Sequence, residues 1–324
     1  MPKPVKQSDL WLKRCGFVAK RQPDGLGVKP EVTTAAPGNW GGRCYFYIAG
    51  MRKIMLLTFL FLYHLLASAQ NPVPYGNNPA AGHYQLVRGV KLYYETYGQG
   101  PPLLLLHGNG GSIKKLENNI PFLAQHYRVI AVDSRAHGKS VDPGDSLSFE
   151  MMADDFAGLL TSLRIDSAYV LGWSDGGINA LVLAMRHPGK VKRLVATGAN
   201  LWPDSTALMP DLYRQQQRGY RENRNVKFTD PKRRNDWKVF CLDLFQPNIP
   251  LSALQGVRAP ALIVAGDHDI IVPEHTVAIY RHLPRAWLWI IPNSGHATVR
   301  EHADEFNRKA DEFFQAKTVL PPVH

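Results

Sequence analysis

The sequence predicts an α/β fold, with a mostly parallel, doubly wound sheet and a helical cap inserted into the second half of the chain. Three observations predict it. From Pro102 onward, short apolar runs alternate with stretches of helical spacing, the pattern of strands covered on both faces by helices. A pentapeptide, Gly172-Trp173-Ser174-Asp175-Gly176, stands where one apolar run ends and a helical pattern begins. Residues 201–257 break the alternation and are rich in charge and in Trp, Tyr and Phe.

The elements follow in order. Residues 84–87 and 91–97 alternate as a hairpin would, with Arg88-Gly89 at its turn. Residues 102–106 are wholly apolar and read as the first buried strand, leading into His107-Gly108-Asn109-Gly110-Gly111-Ser112. Residues 128–133 are the next buried strand. Residues 149–163 have helical spacing, with Ser148 placed to cap them. Residues 168–171 lead into the pentapeptide, and residues 178–186 follow as a core helix. Residues 194–197, 261–265 and 287–291 are further strands, flanked by helices at 274–282 and 301–314. Within the interruption, residues 208–220 and 237–245 have helical spacing. They read as a cap over the C-terminal edge of the sheet, where this architecture places its binding sites.

The chain has 324 residues and a formal charge of +11. Residues 1–69 hold ten Lys/Arg against three Asp/Glu, so most of the excess belongs to the leader and gives no support for nucleic-acid binding. Residues 214–238 carry Arg218, Arg221, Arg224, Lys227, Lys232, Arg233 and Arg234, which read as a solvated helical face. From Met51, Arg52-Lys53, the apolar residues 54–66 and Ala67-Ser68-Ala69 have the form of a secretory signal cleaved before Gln70. The apolar run is short for a membrane span, which needs about 20 residues. Translation is accordingly expected to start at Met51, with residues 1–50 an upstream extension, and the exported domain to be residues 70–324. That domain has one cysteine, Cys241, which excludes an internal disulfide and reads as a packed thiol.

The pentapeptide fits a nucleophile elbow, G-x-S-x-G, which turns sharply from strand to helix and exposes the serine hydroxyl at the sheet edge. Ser174 is the expected nucleophile. A serine hydroxyl needs a base to take its proton and a third group to orient that base. In this architecture the acid follows the nucleophile in the chain and the histidine follows the acid. Ala265-Gly266-Asp267-His268-Asp269 and Pro292-Asn293-Ser294-Gly295-His296 each follow a buried strand, so both loops lie at the same edge. His296 is the expected base. Asp269 is preferred to Asp267 as its partner because it lies farther out on its loop, and Asp267 is left to brace that loop. An oxyanion hole needs two backbone N–H groups: Asp175 supplies one, and the loop after the first buried strand the other, Asn109 before Gly110. His107 is expected to brace that loop. The scheme needs no metal or organic cofactor.

With these residues together, the chain resembles the α/β-hydrolase superfamily from about residue 82 to 315. Within the superfamily, Leu171 to Ile178, Gly198-Ala199-Asn200, Pro260 to Val264 and Ala303 to Asn307 are similar to the valacyclovir-hydrolase (biphenyl hydrolase-like) branch. The resemblance implies a serine hydrolase of small carboxylic esters, with α-amino acid esters as a further possibility. It implies that Asp175 pairs with a substrate ammonium; as an isolated helix residue, Asp175 would only complement the helix N-terminus. Trp173 is expected beside it on the substrate side. An aminopeptidase-like amide hydrolase and a non-catalytic small-molecule receptor are the alternatives on the same fold. The expected partner is a small-molecule ester or amide; oligomeric state is not legible.

Overall fold

The computed structural model describes residues 73–322; the expected upstream extension and the expected signal segment lie outside the described residues. Eight strands form one sheet, β1 Gly82–Val87, β2 Val90–Tyr97, β3 Pro102–Leu106, β4 Arg128–Val132, β5 Ala168–Trp173, β6 Val191–Thr197, β7 Ala261–Gly266 and β8 Ala286–Ile291. The helices are α1 Ile120–Leu123, α2 Phe149–Ser162, α3 Asp175–Arg186, α4 Pro210–Asn223, α5 Pro231–Phe245, α6 Pro273–His282, α7 Thr298–Glu301 and α8 Ala303–Gln315, with short 3-10 turns between some of them.

The strand order is β1-β2-β4-β3-β5-β6-β7-β8. β1 and β2 form the antiparallel hairpin, β2 pairs antiparallel with β4, and every later pair is parallel. The physical cause is visible in β3, whose four leucines, Leu103 to Leu106, are all buried: such a strand has no solvent face and belongs in the interior of a parallel sheet. β1 exposes Tyr84 and Leu86 and lies at the edge. Two apolar cores sit on the two faces. One joins Leu104, Ile130 and Val170 to Phe156 of α2 and Ile178 and Leu181 of α3. The other joins Leu103, Leu105 and Leu171 to Phe306, Phe313 and Phe314 of α8.

β3 has β4 on one side and β5 on the other, so the chain leaves the C-terminal ends of β3 and β5 in opposite directions. A crevice opens at such a switch point. The loop after β3 and the turn after β5 therefore meet there.

Local chemistry explains where the elements begin. Ser148 accepts a hydrogen bond from the Met151 N–H at 3.2 Å and caps α2, an arrangement worth about 1 kcal/mol. The cap helices differ from their expected bounds. α4 begins at Pro210 and α5 at Pro231, each with proline in the first turn where its missing N–H has no helical partner to lose. Asp230 accepts from the Arg233 N–H at 2.8 Å and extends α5 back through the charged Lys232-Arg233-Arg234, which has no apolar spacing to read. The helix expected over residues 301–314 is two helices, because His302 leaves helical geometry with φ −124°. The basic cap residues are solvent-facing as expected except Arg234, which is half-buried with its Nε shut off from solvent, and Lys238, which is buried. The Lys238 Nζ donates to Asp142 Oδ2 and to the Gly144 carbonyl, both at 2.6 Å.

Candidate active site

Ser174 sits at the tip of β5 with φ 56° and ψ −121°, a conformation that residues with a Cβ rarely adopt. Two glycines make it attainable. A Cβ on Gly172 would lie 1.9 Å from the Gly176 carbonyl oxygen, and one on Gly176 would lie 2.3 Å from the Leu106 carbonyl oxygen. Strand and helix thus cross at a separation that leaves no room for side chains. The Ser174 N–H donates to the Thr197 carbonyl at 2.8 Å and anchors the turn on β6.

The loops after β7 and β8 bring the other two residues to this point. Ser174 Oγ donates toward His296 Nε2 at 2.9 Å, and His296 Nδ1 donates to Asp269 Oδ1 at 2.6 Å. Asp269 is buried, and the Ile271 N–H also donates to its Oδ1, at 3.1 Å. Asp267 does not reach His296. Its Oδ1 accepts from the Ser294 N–H at 3.1 Å and pairs with exposed His268 at 2.7 Å, so it ties the two loops together. Its carboxyl is held down at about 2, first by a backbone hydrogen bond from Asn293, then by the His268 contact and the Ser294 N–H.

Three further residues shape the site in ways the sequence reading did not foresee. Gly198, at φ 63°, faces His296, where a Cβ would lie 2.8 Å from Cε1 of the imidazole. Trp173, expected on the substrate side, donates its indole N–H to the His296 carbonyl at 2.8 Å and braces the histidine loop. Asn109, expected to act through its backbone, also donates through its side chain to Asp175 Oδ2 at 2.9 Å and to the Val239 carbonyl at 3.1 Å. Its amide joins the β3 loop to α3 and to the cap helix α5. Gly198 was quoted only as part of a motif, and the other two contacts link residues far apart in the chain.

The loop after β3 crosses over the serine: a Cβ on Gly108 would lie 2.9 Å from Ser174 Cβ. Among the described residues, no backbone carbonyl takes up the N–H of Asn109, Gly110 or Asp175. His107 is buried, with Nδ1–H donated to the Gly108 carbonyl at 2.8 Å and Nε2 accepting from the Ser134 N–H at 3.1 Å. Burial pushes it down to about 4, so it is a neutral brace. A cavity of about 510 Å³ lies between this loop and α5, lined by Asn109, Gly110, Lys115, His137, Asn235 and Val239.

Asp175 is buried at 4% exposure, and its carboxyl is raised well above the usual range, first by loss of solvent and then by the charge of Asp243. No Lys or Arg pairs with either carboxylate among the described residues. Asp243 is itself raised, chiefly by burial.

An elbow serine in contact with a histidine that is held by a buried aspartate is the arrangement of an acyl-transfer enzyme. The chain is 30% identical over 262 residues to the human serine hydrolase BPHL, a match that covers 71% of this chain and 84% of that protein. The chain belongs to the α/β-hydrolase family. The family model for the α/β hydrolase fold matches residues 101–234 of the hydrolase. It is also 28% identical over 278 residues to a 2-hydroxymuconate semialdehyde hydrolase of Pseudomonas sp. strain CF600, covering 73% of this chain and 95% of that one. Among solved structures, a meta-cleavage product hydrolase from Pseudomonas fluorescens superposes with a TM-score of 0.59 at 25% identity, over 73% of this hydrolase and 98% of that chain. The hydrolase is an enzyme of the serine-based kind, acting on small molecules. Among its described residues, no helix is long and apolar enough to cross a membrane.

Proposed function

We propose that this enzyme hydrolyses small carboxylic esters through an acyl-enzyme on Ser174, and that α-amino acid esters are its preferred class. Ser174 Oγ attacks the ester carbonyl while its proton passes to His296 Nε2. Asp269 holds the imidazole by accepting from Nδ1 and offsets the charge it gains. The carbonyl oxygen becomes an oxyanion facing the N–H groups of Asp175 and Asn109, each such donor being worth about 3 kcal/mol in comparable sites. His296 returns the proton to the leaving alkoxide. Water then repeats the sequence on the acyl-enzyme, giving the acid and free Ser174.

The observation that carries the preference is Asp175. It is a buried carboxylate directly after the nucleophile, hydrogen-bonded by Asn109 and with no protein cation beside it. A buried carboxylate without a partner favours a ligand that brings the positive charge. The leader of the chain supports export, with cleavage before Gln70.

The test is hydrolysis by the purified protein of matched neutral and α-amino acid esters, beside Ser174→Ala and Asp175→Ala. Ser174→Ala is expected to lower kcat by about 10⁴-fold or more. Asp175→Ala is expected to reduce the ratio of kcat/KM for amino-acid over neutral esters by about tenfold or more, the value of one charged hydrogen bond. Folded protein with no turnover on any ester overturns the ester reading, and an unchanged ratio overturns the preference.

A further inference from the structure

A second buried carboxyl group, besides that of Asp175, comes from the cap. Asp243 lies on α5, beyond the residues matched by the family model, and Gln216 lies on α4. Gln216 Nε2 donates to Asp243 Oδ2 at 2.5 Å. That contact sets the orientation of the amide, since the reverse would place a carbonyl oxygen against a carboxylate. Gln216 Oε1 is then left buried with no hydrogen-bond partner, on a residue only 7% exposed. An orphaned buried acceptor is costly and marks a place where a donor belongs.

The carboxylates also keep oxygens that no donor among the described residues fills, although these are not sealed in as Gln216 Oε1 is. Asn109 Nδ2 is committed to Asp175 Oδ2 and to the Val239 carbonyl. The second oxygens of Asp175 and Asp243 take no hydrogen bond among the described residues. Asn109 joins Asp175 to α5 at Val239, and Asp243 lies four residues, about one helical turn, farther along the same side of that helix. The region thus holds more acceptor oxygens than neutral side-chain donors to fill them, and the raised carboxyls of Asp175 and Asp243 are two buried acids that lack a cation among the described residues.

We propose that Asp243 and Gln216 complete, together with Asp175, a three-acceptor cradle that selects a primary ammonium group over methylated ammonium and neutral groups. This deepens the α-amino ester reading and rests on it. A primary ammonium carries three N–H donors, which match Asp175, Asp243 and Gln216 Oε1 in number. A trimethylated ammonium keeps the charge and loses every donor. It satisfies the two carboxylates electrostatically and leaves all three acceptors unpaired, the situation in which polar sites discriminate strongly. Asp243 and Gln216 are specificity residues in this scheme and take no part in proton transfer.

The experiment compares kcat/KM for three esters of one alcohol: a free α-amino acid ester, its N,N,N-trimethyl analogue and the neutral acyl isostere. In the wild-type protein the primary ammonium ester is expected to exceed the trimethyl ester by about tenfold or more, one charged hydrogen bond or better. Asp243→Asn is expected to lower that ratio by about the same factor, mainly through KM. Gln216→Leu is expected to lower it less, since it removes only a neutral acceptor. A second measurement guards against a variant that fails to fold: methylammonium is expected to inhibit neutral-ester turnover by the wild-type protein at lower concentration than tetramethylammonium. Equal inhibition by the two cations overturns the cradle, as does an unchanged primary-to-trimethyl ratio in folded Asp243→Asn. If both charged esters beat the neutral one but not each other, the ammonium reading of Asp175 stands and the cradle fails. If neither beats the neutral ester, the α-amino reading fails with it.

Discussion

His137 is buried at 4% exposure, and its Nδ1–H donates to the Arg135 carbonyl at 2.9 Å, which leaves Nε2 as an acceptor without a partner. Burial, with a smaller contribution from neighbouring His107, pushes its pKa down to about 3, against 6.5 for a free imidazole. His107 is lowered to about 4. In the unfolded chain both take up a proton near 6.5, so unfolding is coupled to proton uptake below that pH. Their contribution to stability is fully present above pH 6.5 and is lost as the pH falls toward 4. His137→Phe is therefore expected to reduce the fall in urea midpoint between about pH 7 and pH 4.5 relative to the parent. An equal fall in both proteins would show that His137 does not carry the linkage. The two histidines were legible as non-catalytic only in part. His107 could be read as a brace from its loop, whereas the neutrality of His137 depends on what buries it.

At the scale of elements, the strand-to-helix crossing at the elbow is the tightest joint in the fold. Gly172→Ala would set a Cβ 1.9 Å from the Gly176 carbonyl oxygen and 2.6 Å from the Gly177 nitrogen, both backbone atoms that cannot swing aside. The expected loss is more than about 3 kcal/mol, measured by denaturant unfolding or seen as loss of soluble protein. Gly256→Ala, where nothing lies within 4 Å of the added Cβ, is the matched control and is expected to behave as the parent. If Gly172→Ala were as stable as that control, the close crossing would not be what holds the elbow. The interior strands were legible because β3, β5 and β7 are buried on both faces, which forces an unbroken apolar run. The first cap helix was placed slightly early, since the apolar Leu208-Met209 precede its true start at Pro210, and ended short of Asn223; the second was placed late because Asp230 and Pro231 set its entry without apolar spacing.

At the scale of the whole molecule, the cap is tied to the core by a buried chain of charges. Arg135 donates to Asp155 of α2 at 2.6 and 2.8 Å and to Asp142 at 3.1 Å, and Lys238 of α5 donates to Asp142 at 2.6 Å. Lys238→Met removes the cap's end of this chain while Asp142 keeps Arg135. The expected loss is about 1–3 kcal/mol, since the Gly144 carbonyl and one carboxylate oxygen lose their donor. Trypsin is expected to cut faster at the exposed cap residues Arg221 and Arg224 than in the parent. Unchanged cleavage would mean that apolar packing alone holds the cap down.

The sequence by itself determined the order of strands and helices, the elbow at Ser174 and the loops that carry Asp269 and His296. Each of these is written locally, in an apolar run followed by turn residues, and local pattern is all that periodicity can report. Only the tertiary structure decided which of Asp267 and Asp269 meets His296, what the Asn109 amide holds, and that Lys238 turns inward. It alone brought Gln216 to Asp243 and Asp243 within reach of Asp175. Gln216 and Asp243 are 27 positions apart on different helices, and Asp175 stands on a third. Hydrogen bonds and charge repulsion act over a few ångströms of space, and no spacing along the chain encodes those distances.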